Sequence, residues 1–143
     1  MLLFDIVRAE VADGAASGSS SCTKGLLWLK RFLEFTVRML ERLANDPARE
    51  LSEAVSAAYD ATLRSYHGYV TGAVFSVLMR AAPYRATFER ALVRRGSTAS
   101  EAPDVDADAL RAQMKQVVDK FTPLLSSVHV FLADAGLDDQ TPV

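Results

Sequence analysis

From Thr23 to about Asn45 the sequence holds one helical period without a proline. Trp28, Phe32, Phe35 and Met39 recur at spacings of four, three and four, which puts them on one helical face. Lys30, Arg31, Glu34, Arg38, Glu41 and Arg42 fall largely on the other side, and Glu34 precedes Arg38 by four, the favourable order for a helical ion pair. The stretch reads as a core helix with the only tryptophan of the chain near its start. A helix this long and this amphipathic must be covered by other elements. No run of alternating apolar and polar residues offers a strand to do so, and no internal repeat is visible. The fold class that follows is all-α.

The length, 143 residues, suits one domain, and half the residues are hydrophobic, enough for a core. A formal charge of −2 gives no general attraction to nucleic acid or acidic membranes. The local basic clusters, Lys30-Arg31 and Arg90 with Arg94-Arg95, read as solvated helix surface. Cys22 is the sole cysteine, which excludes an intrachain disulfide and a thiolate metal site and suits a reducing, cytoplasmic compartment. The opening Met1-Leu2-Leu3-Phe4-Asp5 lacks the basic flank of a signal peptide. The longest uncharged run, Ser65 to Met79, is shorter than the ~20 apolar residues of a bilayer span.

Residues 1–12 form a short amphipathic helix through Leu2, Leu3, Ile6, Val7 and Val11, and residues 13–22 form a flexible loop by composition. Thr23 is the N-cap expected for the second helix, and Asp46-Pro47 the restart signal for the third. Leu51, Val55, Ala58, Tyr59, Thr62, Leu63 and Tyr66 keep helical spacing up to a bend at His67-Gly68. Val70, Val74, Phe75, Leu78 and Met79 continue as a helix that is apolar on most sides, which implies burial. Pro83 breaks it. A shorter helix from Tyr84 to about Arg94 turns Phe88, Ala91 and Leu92 inward, and a loop over 96–104 follows. Asp104 or Asp106 caps a last helix, with a kink or split expected at Pro123 and a stop at Gly136.

Enzyme signatures are missing. There is no Gly-rich phosphate loop, no His-Glu-x-x-His and no Gly-x-Ser-x-Gly. The two histidines, His67 and His129, stand far apart without cysteines or acids at ligand spacing, so no metal or cofactor is expected. Trp28 is either a core aromatic or a flat platform on which the C–H face of a sugar stacks. His67, in Tyr66-His67-Gly68-Tyr69, is either a satisfied polar group at a helix junction or a neutral imidazole that hydrogen-bonds an amide carbonyl. Phe32, Phe35, Leu63, Val74 and Phe75 read as ordinary core by spacing.

Three segments carry a resemblance. Leu26-Leu27-Trp28-Leu29-Lys30-Arg31 with Phe35, Tyr66-His67-Gly68-Tyr69 with Phe75, and Ala81-Ala82-Pro83-Tyr84-Arg85 with Phe88 and Ala91-Leu92 occur in this order across residues 24–92. Together they resemble the glycolipid transfer protein family. The resemblance implies an all-helical two-layer sandwich over residues 1–143 that carries single sphingolipids between membranes without covalent chemistry. It implies that Trp28 stacks on the first sugar and that His67 hydrogen-bonds the ceramide amide carbonyl. Phe32, Phe35, Leu63, Val74 and Phe75 would then line the pocket for the hydrocarbon tails, and Tyr69 would touch the membrane.

The branch of that family that carries ceramide-1-phosphate resembles this motif with arginine at the place of Trp28 and a basic residue four earlier. Here Trp28 favours a glycosylceramide, and Lys24 supplies the basic residue one turn before it, a headgroup-binding candidate within reach of a sugar hydroxyl or an anionic group. The family places two long helices ahead of the region that matches Leu2 to Val11, one of them bearing an Asp-x-x-x-Asn-x-x-Lys headgroup cluster. This chain is expected to lack them, and Asp5 and Arg8 do not replace that cluster. A bare apolar face open to self-association is the further expectation. The competing readings are a lipid sensor or protein-interaction module that keeps the fold without transfer, and a ceramide-1-phosphate carrier.

Overall fold

Helices and turns account for all the regular structure of the described residues, 2–96 and 104–142, in this computed structural model. The order is α1 (Leu2–Ala12), α2 (Cys22–Asn45), α3 (Leu51–Ala61), a 3₁₀ turn (Arg64–Tyr66), α4 (Tyr69–Arg80), α5 (Arg85–Gly96) and α6 (Ala107–Asp134). Most of the loop expected over 96–104 lies outside the described residues.

The long helices α2 and α6 form the main packing pair, with α3 and α1 also against α2 and α4 against α3. Two apolar clusters hold them. Val7 of α1, Leu26 and Leu27 of α2, and Val128 and Leu132 of α6 meet near one end, with Leu137 packed against them. Leu43, Ala44, Leu51, Ala54, Leu110 and Met114 meet near the other, where Phe88 of α5 is half-buried. Burial of each large aliphatic side chain contributes roughly 1.5–3 kcal/mol, so the clusters dominate the cohesion of the bundle.

Helix ends differ from the sequence reading in instructive ways. The N-cap of α2 is Ser21 rather than Thr23: Ser21 Oγ accepts from the Lys24 amide at 3.1 Å. Thr23 is instead buried in the first turn, where Glu10 of α1 accepts from the Cys22 amide (2.7 Å), the Thr23 amide (2.8 Å) and the Thr23 hydroxyl (2.7 Å). A carboxylate at a helix N-terminus satisfies donors that have no partner within the helix. The Thr23 hydroxyl first, then those two amides, hold the Glu10 carboxyl below its ordinary value.

At Asp46-Pro47 the chain makes a turn, with the Ala48 amide on Asp46 Oδ1 (3.0 Å), and α3 starts later, at Leu51. Asp106 caps α6 through the amides of Asp108 and Ala109 (both 3.0 Å). That helix continues through Pro123 without a break, so the expected split does not occur. Gly136 is the stop, at φ +67°, with the Leu137 amide on the Leu132 carbonyl (2.8 Å) and the Gly136 amide on that of Ala133 (3.0 Å). This paired closure needs a left-handed residue, which glycine adopts without penalty.

Arg85 ties the far end together. Its guanidinium donates to the carbonyls of Leu43 (2.9 Å), Asp46 (2.7 Å) and Arg49 (3.1 Å) and to Glu89 (2.7 Å), while its amide donates to Glu50 (3.2 Å). The last segment of the sequence resemblance thus contains the residue that closes the α2–α3 corner.

Two apolar assignments are overturned. None of the residues of α4 is buried, although its composition implied burial; it packs on α3 along one side and leaves Val70, Val74, Val77 and Leu78 exposed. In α5, Phe88 turns inward, but Ala91 and Leu92 are exposed.

Candidate functional site

Trp28 projects from α2 one turn beyond the Ser21 and Glu10 capping contacts, and His67 comes from the extended link between the 3₁₀ turn and α4 (φ −103°, ψ 123°). Their rings face each other at 6.2 Å between centroids and 22° between planes. Phe75 lies 4.8 Å from His67 and stacks on Tyr59 at 5.0 Å and 11°. The Tyr59 hydroxyl is 3.2 Å from His67 Nδ1. The structure therefore brings Trp28, His67 and Phe75 together. It adds Tyr59, which the sequence offered only as one apolar position of a helix.

Burial pushes the His67 imidazole below its ordinary value, so the ring is neutral at pH 7. Burial also raises the Tyr59 phenol, which stays protonated. Where the phenol donates to Nδ1, the imidazole proton sits on Nε2. His67 then presents one N–H donor beside an aromatic platform, an arrangement suited to holding a carbonyl and not to nucleophilic chemistry.

The largest correction concerns the two basic residues of α2. Lys30 and Arg31 are each only 2% exposed, whereas Phe32, assigned to the apolar face, is 55% exposed. The physical reason lies at the other end of the chain. The turn after α6 brings Asp138 to 3.5 Å from Lys30 Nζ and 3.8 Å from the Arg31 guanidinium, and Arg31 also donates to the Asp139 carbonyl. Lys30 has a second carboxylate, Glu34, at 3.7 Å. Arg31 lies over two rings, 3.6 Å from the Tyr66 centroid and 5.0 Å from that of Trp28. Buried cations persist only with such compensation.

The other candidate residues scatter around this centre. Lys24, half-buried, lines a cleft of about 370 Å³ with Val11, Ala16, Leu27, Leu137 and Asp139, and Trp28 is not part of that lining. Phe35 is half-buried with its ring 6.5 Å from that of Phe32. Leu63 is buried, Val74 is 54% exposed and Tyr69, at the start of α4, is 93% exposed. Among the described residues no cluster of three or more His, Cys, Asp or Glu could hold a metal ion, and no helix is long and apolar enough to cross a membrane.

Comparison with known proteins decides the lineage. The family profile described as Glycolipid transfer protein (GLTP) matches residues 1–94, well over half the chain and the whole span from α1 to α4. The chain belongs to the glycolipid transfer protein family. Glycolipid transfer protein 1 of Arabidopsis thaliana is 32% identical over 137 residues, which covers 96% of this chain and 62% of that protein. The human pleckstrin homology domain-containing family A member 8 is 40% identical over 98 residues, covering 68% of this chain and 19% of that protein.

A solved structure describing how FAPP2 selects simple glycosphingolipids using the GLTP fold superposes with a TM-score of 0.80 at 30% identity, over 99% of this chain and 65% of that one. A mutant of Arabidopsis ACD11 complexed with C12 ceramide-1-phosphate has the same fold, with a TM-score of 0.80 at 20% identity over 96% of this chain and 64% of that one. This member of the family thus spans less than two thirds of the length of these relatives.

Proposed function

We propose that this glycolipid-transfer-protein domain binds one glycosphingolipid and moves it between membranes without covalent chemistry, with the sugar on Trp28 and the ceramide amide carbonyl on His67 Nε2–H. The observation that carries the reading is the convergence of the two rings at 6.2 Å, with Tyr59 at 3.2 Å from the other imidazole nitrogen. In this reading the sugar stacks on the indole, whose ring also contacts Arg31 and faces His67. Phe75 and Phe35 begin the tail pocket, together with Phe32, Leu63 and Val74. Tail burial supplies most of the affinity, at ~0.8 kcal/mol per CH₂, while the polar contacts choose the headgroup. A sugar is favoured over a phosphate because Lys30 and Arg31 already share Asp138, which leaves Lys24 as the cation nearest the tryptophan in sequence. Tyr69 and the exposed side of α4 meet the membrane from the cytoplasmic side.

Vesicle-to-vesicle transfer of fluorescent glucosylceramide or galactosylceramide tests this reading. Transfer that falls on Trp28→Ala and on His67→Leu supports it; no binding of either lipid, or no loss in either variant, overturns it.

A second reading is favoured by one observation, the exposed apolar side of α4. In it the chain binds lipid but does not transfer it, and a protein surface, including that of a second copy, covers Val70, Val74, Val77 and Leu78. Light scattering that shows a monomer, together with no exposed apolar surface by dye binding, counts against this alternative.

A further inference from the structure

The two halves of the headgroup site come from different elements, and a single guanidinium lies between their supports. Arg31 is on the same helix as Trp28 and contacts its ring at 5.0 Å, and it lies flat enough on Tyr66 to bring its central carbon within 3.6 Å of that ring's centroid. Tyr66 is the residue immediately before His67 and the last of the 3₁₀ turn that delivers it. The Tyr66 backbone is itself fixed by its amide on the Leu63 carbonyl at 3.0 Å, and Leu63 is buried. Arg31 therefore touches both the platform and the residue that delivers the hydrogen-bond donor.

What fixes Arg31 is the turn after α6. The Gly136 closure turns the chain back, Leu137 packs against Val7, Leu26 and Leu27, and the next two residues reach α2. Asp138 faces Lys30 and Arg31 from this turn, with His129 of α6 at 3.8 Å from its second oxygen, and the Asp139 carbonyl accepts from Arg31. With Glu34 on Lys30, two buried cations meet two carboxylates, so the cluster is compensated in charge, although Arg31 Nε and Asp138 Oδ1 have no hydrogen-bond partner among the described residues.

We infer that Arg31, held by the Gly136–Asp139 turn, is a positioning residue of the headgroup site and sets the spacing between Trp28 and His67. The inference rests on the proposed sugar-and-amide reading for its consequence, and on the geometry alone for its mechanism. Lysine does not replace arginine here, because an ammonium can pair with Asp138 but cannot lie flat on two aromatic rings.

The test uses Arg31→Lys and Asp138→Asn in the full chain. Since Trp28 is the only tryptophan, its acrylamide quenching reports the platform directly, without lipid. The second readout is the ratio of glucosylceramide binding to binding of ceramide without a sugar, from vesicles of phosphatidylcholine containing each lipid. Arg31→Lys is expected to raise the quenching of Trp28 and to reduce that ratio about tenfold. Asp138→Asn, which leaves the guanidinium in place but loosens it, changes both in the same direction by less. A merely structural role lowers thermal stability without altering the ratio, and that result, or unchanged quenching in both variants, overturns the inference. If the unmodified chain binds neither lipid, the proposed function fails, while the quenching comparison still decides whether Arg31 positions Trp28. Should Arg31→Lys fail to fold, Asp138→Asn carries the decision.

Discussion

Tyr59→Phe removes one oxygen and isolates the tautomer argument. The phenylalanine ring keeps the stack on Phe75, at 5.0 Å and 11°, and the volume barely changes, so packing cost is small. The hydroxyl's 3.2 Å contact with His67 Nδ1 is lost. A neutral hydrogen bond of this kind is worth about 1 kcal/mol net, and without it the preference for the proton on Nε2 weakens to that of a free imidazole side chain. Glucosylceramide affinity is then expected to fall by no more than about fivefold. His67→Leu removes the donor and leaves the lipid carbonyl unpaired, about 1–3 kcal/mol, so its loss is larger, roughly tenfold or more. Equilibrium binding measured by energy transfer from Trp28 to a fluorescent glucosylceramide gives the affinities, and nitrogen NMR of His67 gives the tautomer. Tyr59→Phe with an unchanged tautomer and affinity refutes the reasoning. A loss equal to that of His67→Leu refutes it differently, by showing that Tyr59 holds the site's packing and not its proton.

Three further outcomes are expected. Leu132→Ala, at a fully buried position of the Val7–Leu27–Val128 cluster, should destabilise the fold by about 2–5 kcal/mol, read as a lower midpoint in urea. Glu10→Gln should weaken the start of α2 in a pH-dependent way. The Glu10 carboxyl is held below its ordinary 4.5 in the folded chain, so its stabilisation is complete above pH 4.5 and disappears as pH falls through the depressed folded value. The gap in urea midpoint between parent and variant should therefore close in acid; a gap that stays constant with pH counts against the assignment. Replacing Tyr69 and Val70 together by serine should reduce sedimentation with vesicles while leaving thermal stability nearly unchanged, because both side chains are already exposed.

The all-helical class could be read from spacing alone, and so could the position of most helices, because apolar periodicity survives in Leu110, Met114, Leu125 and Leu132 of α6 and in Leu51, Ala54 and Ala58 of α3. What spacing could not supply was the partner of each face. Lys30 and Arg31 score as surface residues in any periodic reading; their burial depends on the turn at Asp138-Asp139, and the Arg31 bond to Asp139 joins positions 108 apart. The same blindness applies to α4, where an apolar composition says that a cover is wanted and not that one is present. Glu10 was invisible for a third reason. Its role comes from the α1–α2 turn, which carries the carboxylate to a helix start 12 residues later. At the site, the motif resemblance singled out Trp28 and His67, which the structure brings together, whereas Tyr59 and Arg31 beside them carried no signal beyond residue type.

The Arg85 contacts have a consequence for the order in which the bundle assembles. The Leu43 carbonyl at the end of α2 and those of Asp46 and Arg49 in the following turn are closed by a side chain up to 42 positions further on. Bringing such distant segments together costs loop-closure entropy before any bond repays it, so α2 and α3 can grow as helices before their joint is sealed. The joint should then be a late step, with a low φ-value for Arg85→Ala and faster unfolding as its main kinetic effect. A high φ-value would place the docking of α5 in the folding nucleus instead.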